Sequence, residues 1–349
     1  MGSCELGSRI LVTGANGYIA AHCVADLLAK GFEVVGTVRT AEKAKRVLSQ
    51  HSAHSSLTVK VVPDLTDPHA FDEAIEGCKA VLHLAAPFGY TYRDFETELL
   101  IPSIKGTKSI CLAASRTPSV KRVVITSSFA AIFDASAGPS PGRIWTENDW
   151  SPLTYEEGKN APMAPIAYRA SKKLAEMAAW DYIEKEKPHW DLVTLCPGMV
   201  FGPLLPGTIG GLKELNASNS IVWSLFDAKA VSDTKAPLWT SVITLARAHT
   251  LALISPAAAN ERFLVLNGDF DNQELADIIH SSKELPEEAK NRVPVGQPGE
   301  RLRGKIYSAD SSKVSRVLGL DLKVPEESLE VTVVVLVQQL LEMENASKR

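Results

Sequence analysis

The chain has 349 residues, with 37 Lys and Arg against 41 Asp and Glu, a formal net charge of −4. Its pI near 6.1 argues against nucleic acid as a partner, because a phosphate-reading protein carries a basic excess. Hydrophobic residues at 45% and charged residues at 22% exclude a disordered chain and a coiled coil, and at about 150 residues per domain the length allows about two.

From the N-terminus, short β-branched runs alternate with helical patterns. Arg9 to Thr13 reads as a strand, Tyr18 to Lys30 as a helix closed by Gly31, and Glu33 to Arg39 as the next strand. Leu57 to Pro63 follows as a strand, Pro68 to Gly77 as a helix and Ala80 to Ala85 as a strand. Asp94 to Arg116 reads as one long helix despite Pro102, then Lys121 to Ser127 as a strand, Ala167 to Glu186 as a helix and Asp191 to Cys196 as a strand. This order predicts an α/β fold, a doubly wound Rossmann-type parallel sheet with helices on both faces. The runs near Val34, Val81 and Val124 are almost continuously apolar, as parallel strands covered on both faces should be.

After Pro197 the pattern changes. Residues 197–240 are rich in Gly, Pro, Asn and Ser. Helices are expected again at Ser241 to Ile254, Gln273 to Lys283 and Glu326 to Met343, with a strand at Arg262 to Leu266. Residues 1–197 are therefore expected to form a nucleotide-binding domain. Residues 198–349 would form mainly a smaller substrate-binding lobe, with a strand and helix near 241–268 returning to the sheet. No internal repeat is visible.

Five scattered cysteines, Cys4, Cys23, Cys78, Cys111 and Cys196, contain no C-x-x-C pair and read as reduced, buried thiols. The eight histidines show no metal-ligand spacing, so no metal is expected. Apolar stretches such as Val331 to Val337 are far too short to suggest a membrane span. The first residues lack the charged and apolar regions of a signal peptide, so a cytoplasmic protein is expected.

The first strand runs into Gly14-Ala15-Asn16-Gly17-Tyr18-Ile19-Ala20 and then a helix. Glycines there permit a tight turn and let backbone approach a pyrophosphate at the positive helix N-terminus. The flanking strand and helix are the context that such a turn requires. At the end of the second strand a dehydrogenase preferring NAD places Asp or Glu. Here Arg39 and Lys43 stand instead, two positive charges suited to a 2′-phosphate, and NADP(H) is the expected cofactor. Glu42 lies between them and is expected to face solvent.

Tyr168 and Lys172 are four residues apart on a predicted helix, so they share a face. A nearby ammonium is expected to lower the tyrosine pKa and make its hydroxyl a usable acid or base. Thr126-Ser127-Ser128 stands at the carboxyl end of the strand after Lys121, where open α/β sheets bind ligands. A hydroxyl there can hold a carbonyl oxygen.

With these pieces in this order, the sequence resembles the extended short-chain dehydrogenase/reductases. It is most similar to the branch with dihydroflavonol reductases, fungal NADPH-dependent methylglyoxal reductases and yeast aldehyde and carbonyl reductases. The resemblance covers nearly the whole chain, through VTGANGYIA, KRVVITSSFAA, AYRASKKLAEMAAWDYIEKEKP, CPGMVFGP and the closing DSSKVSRVLG. It implies that Ser128 polarises the substrate carbonyl, Tyr168 donates a proton to its oxygen, and Lys172 holds the nicotinamide ribose. It also implies that Arg39 and Lys43 contact the 2′-phosphate and that Asp64 and Leu65 flank adenine. Ala85, Ala86 and Pro87 would line the nicotinamide, and Pro197 to Val200, with Gly198 between, would cover its carboxamide.

Two departures stand out. Where the family often has Asn-Val-x-Gly-Thr, this chain has Ser103-Ile104-Lys105-Gly106-Thr107, so a proton relay would run through water or Ser103. Where it often has Asp-Val-Arg-Asp, Ser241-Val242-Ile243-Thr244 stands. His83, inside an apolar strand, reads as a core histidine. Phe88, Phe129 and Met199 adjoin these motifs and are candidate substrate-pocket residues, with Trp223, Phe226 and Trp239 as further candidates in the lobe. The expected activity is NADPH-dependent reduction of a small-molecule aldehyde or ketone, by a monomer or homodimer. A ketoreductase of secondary metabolism falls within that reading. A nucleotide-sugar epimerase or dehydratase, and a dinucleotide-sensing regulator without activity, are the rivals outside it.

Overall fold

The computed structural model describes residues 4–87 and 91–348. In chain order the main elements are β1 (Arg9–Thr13), α1 (Tyr18–Ala29), β2 (Glu33–Val38), α2 (Ala41–Gln50), β3 (Leu57–Val61) and β4 (Ala80–His83). Then come α3 (Ile101–Arg116), β5 (Arg122–Thr126), β6 (Ile144–Trp145), α4 (Tyr155–Lys159), α5 (Ala164–Glu186), β7 (Asp191–Pro197) and β8 (Met199–Phe201). The remainder is α6 (Ala217–Trp223), β9 (Leu238–Ser241), α7 (Val242–Ile254), β10 (Glu261–Val265), β11 (Gly268–Asp269), α8 (Asn272–Ser281), α9 (Glu287–Lys290), β12 (Ser308–Ala309), α10 (Ser312–Leu318) and α11 (Leu329–Ser347).

Seven parallel strands form the main sheet, in the order β10-β7-β5-β4-β1-β2-β3. The order reverses beside β1, between β4 and β2, and the crevice at such a point is where doubly wound sheets take ligands. The middle strands bury every residue of Leu11–Val12, Val81–Leu82 and Val123–Val124. One face of the sheet is covered by a core that includes Cys23, Leu27 and Leu245. The other is covered by a core that includes Ile110, Cys111 and Ala179. After β7 the chain builds a small sheet, β11-β9-β8, and a separate core around Phe201, Phe226, Trp239, Phe270 and Leu336. It also returns to the main sheet, because β10 pairs with β7 from Glu261↔Val193 to Val265↔Pro197.

Several expected elements differ. Residues 68–77 form a run of turns, not a helix. Asp67 accepts a hydrogen bond from the His69 backbone N–H at 2.8 Å, and a side chain that bonds its own backbone competes with helix. The apolar spacing there is still real, since Phe71, Ala74 and Ile75 are buried against the sheet. The long helix expected from Asp94 starts as a wide π-turn at Glu96–Leu100 before α3. Pro102 offers no N–H and crowds the carbonyl four residues back, which a wider turn relieves. α5 starts at Ala164, three residues before Ala167, with Pro165 in its first turn, where proline is preorganised for helix. The loop-rich stretch after Pro197 also contains β8 and β9, whose short runs carry little periodic signal. The five cysteines are free and buried. Among the described residues no helix is long and apolar enough to cross a membrane, and no cluster of His, Cys, Asp or Glu could hold a metal ion.

Candidate active site

The glycine turn follows directly from β1. Gly14 has φ +68, and a Cβ on it would stand 3.0 Å from the Cα of Ala85. Gly17 caps α1 in extended conformation with no side-chain cap bond and no acid in the first turn. The first amides of that helix therefore face outward without a local anion, as an anion site needs. Asn16 and Ile19 are half-buried beside them, and the Tyr18 hydroxyl donates to the Gly202 carbonyl at 2.9 Å, tying the turn to the segment after β8. Ala15 presses on β2, where a Cβ on Gly36 would lie 2.9 Å from its own Cβ. The need for Gly36 is invisible in sequence, because its cause lies on another strand. Gly14→Ala is expected to cost about 1–3 kcal/mol, since it adds both left-handed strain and a backbone clash. Urea unfolding measures this, and wild-type stability would contradict the strain argument.

Past β2, Arg39 and Lys43 are exposed, and neither forms an ion pair among the described residues. Glu42 faces solvent as expected. Asp64 is exposed and accepts from the Thr66 N–H at 2.8 Å and hydroxyl at 2.7 Å, which hold its carboxyl below the usual range. Leu65 lies over α3, where a Cβ on Gly106 would come within 1.9 Å of its side chain. Gly106 thus makes the seat for Leu65.

Beyond β4 the chain turns under β1. The Thr13 hydroxyl oxygen accepts from the Leu84 and Ala85 amides at 3.1 and 3.0 Å, and lies 2.9 Å from His83 Nδ1. With the oxygen accepting twice, its hydrogen goes to Nδ1, so the ring proton sits on Nε2. Burial pushes the His83 pKa down to about 3, and the ring is neutral. His83 is the buried core residue expected of it, yet it also lines a cavity of about 20 Å³ with Ala85, Ala86, Ser103, Ser127, Lys172 and Glu176. That volume suits a single water, and Ser103 and Lys172 share it. Pro87 is half-buried next to Ala86. Phe88 lies outside the described residues.

At the end of β5, Ser128 caps a 3₁₀ turn, Phe129–Ala131, and its Oγ accepts from the Ala130 N–H at 3.1 Å. Its hydroxyl also acts on the Tyr168 phenol, pulling that group's pKa down. Lys172, one turn further along α5, donates from Nζ to the Thr126 carbonyl at 3.0 Å. The expected lowering of the Tyr168 pKa by Lys172 is not found. Burial raises it above its ordinary value, against the opposing influence of Ser128. Lys172 is itself shifted down by burial, and its proton is directed at Thr126. At neutral pH the phenol is therefore a loaded proton donor. Glu176, a turn beyond Lys172, is buried and accepts from Ser127 Oγ at 2.5 Å and from Arg262 Nε at 2.7 Å. Sequence reading missed Glu176 and Arg262, because they meet each other and Ser127 from three separate elements.

The segment after β7 closes one side. Pro197 and Val200 are buried, and the Val200 N–H bonds Ser218 Oγ at 2.9 Å. Gly198 donates to Thr240 Oγ1 at 3.0 Å, and a Cβ there would fall 2.4 Å from the Leu238 carbonyl. Met199 is half-buried and pairs in register with Trp239. Phe129 is 8% exposed and stacks with Phe133 at 5.8 Å and Tyr307 at 6.1 Å. Trp223 and Phe226 stack on each other at 4.8 Å beneath Arg292, and Phe226 and Trp239 belong to the lobe core. Ser241 and Thr244, in place of the family's two acids, are buried. Ser241 caps α7, and the Thr244 hydroxyl donates to Glu327 at 2.5 Å, so an acid is supplied from elsewhere in the chain.

Residues 11–262 match the 3-beta hydroxysteroid dehydrogenase/isomerase family. The chain is 37% identical over 334 residues to the ketoreductase azaE of Aspergillus niger, covering 93% of this chain and 95% of the relative. It is 32% identical over 337 residues to the NADPH-dependent methylglyoxal reductase GRE2 of Saccharomyces cerevisiae, covering 93% and 96%. The crystal structure of yeast methylglyoxal/isovaleraldehyde reductase Gre2 complexed with NADPH superposes with a TM-score of 0.89, at 31% identity, over 97% of this chain and 99% of that one. The chain belongs to the 3-beta hydroxysteroid dehydrogenase/isomerase family and, with it, to the extended short-chain dehydrogenase/reductases.

Proposed function

We propose that this chain is an NADPH-dependent carbonyl reductase that turns an aldehyde or ketone into an alcohol. The observation that carries the reading is the convergence of three groups: the Ser128 hydroxyl acts on the buried Tyr168 phenol, and Lys172, one helical turn on, donates to the Thr126 carbonyl at the end of the neighbouring strand. The site fits the cofactor: Gly14 leaves the space a Cβ would fill, α1 has uncapped first amides, and Arg39 and Lys43 are exposed and form no ion pair among the described residues. NADPH, when bound, supplies the hydride.

Gly14, Asn16, Gly17, Tyr18 and Ile19 would hold its pyrophosphate, and Arg39 and Lys43 its 2′-phosphate. Asp64 and Leu65 would flank the adenine. Ala85, Ala86, Pro87, Pro197, Gly198 and Val200 would enclose the nicotinamide, and Lys172 its ribose. Ser128 holds the substrate oxygen, and Tyr168 gives that oxygen a proton as negative charge builds on it. Phe129 and Met199 border the substrate, with residues 1–197 forming the cofactor domain and most of 198–349 the substrate lobe. The enzyme works in the cytoplasm on a small-molecule carbonyl compound, as a monomer or homodimer.

A ketoreductase step of a secondary-metabolite pathway is a second reading, favoured by the identity to azaE. NADPH and NADH oxidation over a panel from methylglyoxal to bulky aryl ketones tests both. Preference for bulky ketones supports the second reading, and no turnover anywhere in the panel overturns both. Arg39→Ala is expected to shrink the NADPH-over-NADH preference by about 10- to 100-fold, the size of a charged hydrogen bond. An unchanged ratio removes Arg39 from the 2′-phosphate site.

A further inference from the structure

Beside Tyr168 stands a half-withdrawn positive charge that no carboxylate among the described residues pairs. Arg169 is half-buried, and its guanidinium lies over Phe133, 5.7 Å from the ring centre. It makes no ion pair or hydrogen bond among the described residues. Every other buried or half-buried arginine there faces a carboxylate: Arg9 Glu33, Arg46 Glu214, Arg122 Asp191, Arg247 Glu327, Arg262 Glu176, Arg292 Glu344 and Arg301 Asp277. Withdrawing a charge from water without a partner is unfavourable, and a cation–π contact offsets only part of that.

Its position has a direction. Phe133 stacks on Phe129 at 5.8 Å and meets Tyr307 at 4.7 Å, and Phe129 adjoins Ser128. An aromatic wall thus runs from the residue that would hold the carbonyl oxygen to the unpaired guanidinium. We infer that the substrate is a carbonyl compound bearing an anionic group, a carboxylate or a phosphate, and that Arg169 receives it. The planar guanidinium fork matches either anion with two parallel hydrogen bonds. The apolar body between carbonyl and anion packs on Phe129 and Phe133. This inference rests on the carbonyl-reductase reading and narrows its substrate class.

The test compares para-acetylbenzoate, its methyl ester and para-acetylphenyl phosphate as substrates with NADPH. Wild-type enzyme is expected to favour at least one anionic ketone over the ester in kcat/KM, and the preferred anion identifies the group. In Arg169→Gln the anion-to-ester ratio should fall about 10- to 100-fold, mainly through KM, and Arg169→Lys should keep part of it. The wild-type preference should also shrink as salt is added, a measurement that needs no variant. Equal use of all three compounds by the wild type, or an equal loss on all three in Arg169→Gln, overturns the inference. Turnover of the ester without anion preference leaves the reductase reading intact, whereas no turnover of any carbonyl compound, anionic or neutral, overturns that reading as well.

Discussion

Tyr168→Phe is expected to lower carbonyl reduction by about 100- to 10,000-fold, the range for losing a positioned acid, while NADPH binding stays close to wild type. The substitution removes one oxygen and keeps the ring, so α5 packs as before and Lys172 keeps its bond to the Thr126 carbonyl. What disappears is the hydroxyl whose pKa Ser128 influences. Steady-state turnover with a fluorescence titration of NADPH separates the two effects. Turnover near the wild-type rate would falsify Tyr168 as the proton donor. Because burial raises the phenol above its ordinary value, the working form is protonated throughout the neutral range. The rate of the chemical step should therefore be level near pH 7 and fall only as the pH climbs past about 10, where a free tyrosine titrates. Nearby His83 adds no limb near neutrality, since burial holds it near 3.

The largest expected stability effect lies one turn further along the same helix. Glu176→Ala should destabilise the fold by about 3–5 kcal/mol, the usual result of removing one member of a buried ion pair. Glu176 is 1% and Arg262 8% exposed, and the loss would strand the guanidinium away from water. Arg262 also lies 3.6 Å over Trp150 and donates to the Glu147 and Asp149 carbonyls at 2.7 and 2.6 Å. The pair thus joins α5, β10 and the segment before α4. Urea unfolding reads the change directly, and a loss under about 1 kcal/mol would show that water reaches the site. Burial alone would raise the Glu176 pKa, but Arg262 and Ser127 outweigh it and hold it below its ordinary value. A depressed folded-state pKa stabilises above the unfolded value, so this contribution is complete at neutral pH and fades as acid titrates the folded carboxyl.

Much of the fold was legible because its signals are local. β1, the glycine turn and α1 form one contiguous stretch, and an unbroken apolar strand before a glycine turn has few alternatives. The two serines after β5, and the Tyr168–Lys172 spacing, were legible for the same reason. Residues 68–77 misled because an apolar face has the same spacing whether helix or successive turns carry it, and the Asp67 side chain decided between them. β8 and β9 were missed because strands of three and four residues are too short to show alternation.

By itself, then, the sequence determined the strands of the main sheet and most of its helices, the glycine turn, the absence of an acid after β2 and the candidate triad. All of these follow from neighbours in the chain or from one helical turn. Only the tertiary structure decided which long-range partners set the chemistry. It buried the Tyr168 phenol against Ser128, so that the phenol is held protonated, where the spacing to Lys172 suggested the opposite shift. It placed Glu176 against Arg262, Leu65 over Gly106 and His83 under Thr13, and left Arg169 against aromatic rings with no carboxylate among the described residues paired to it. Burial and partner geometry fix protonation and charge balance, and both depend on residues far apart in the chain.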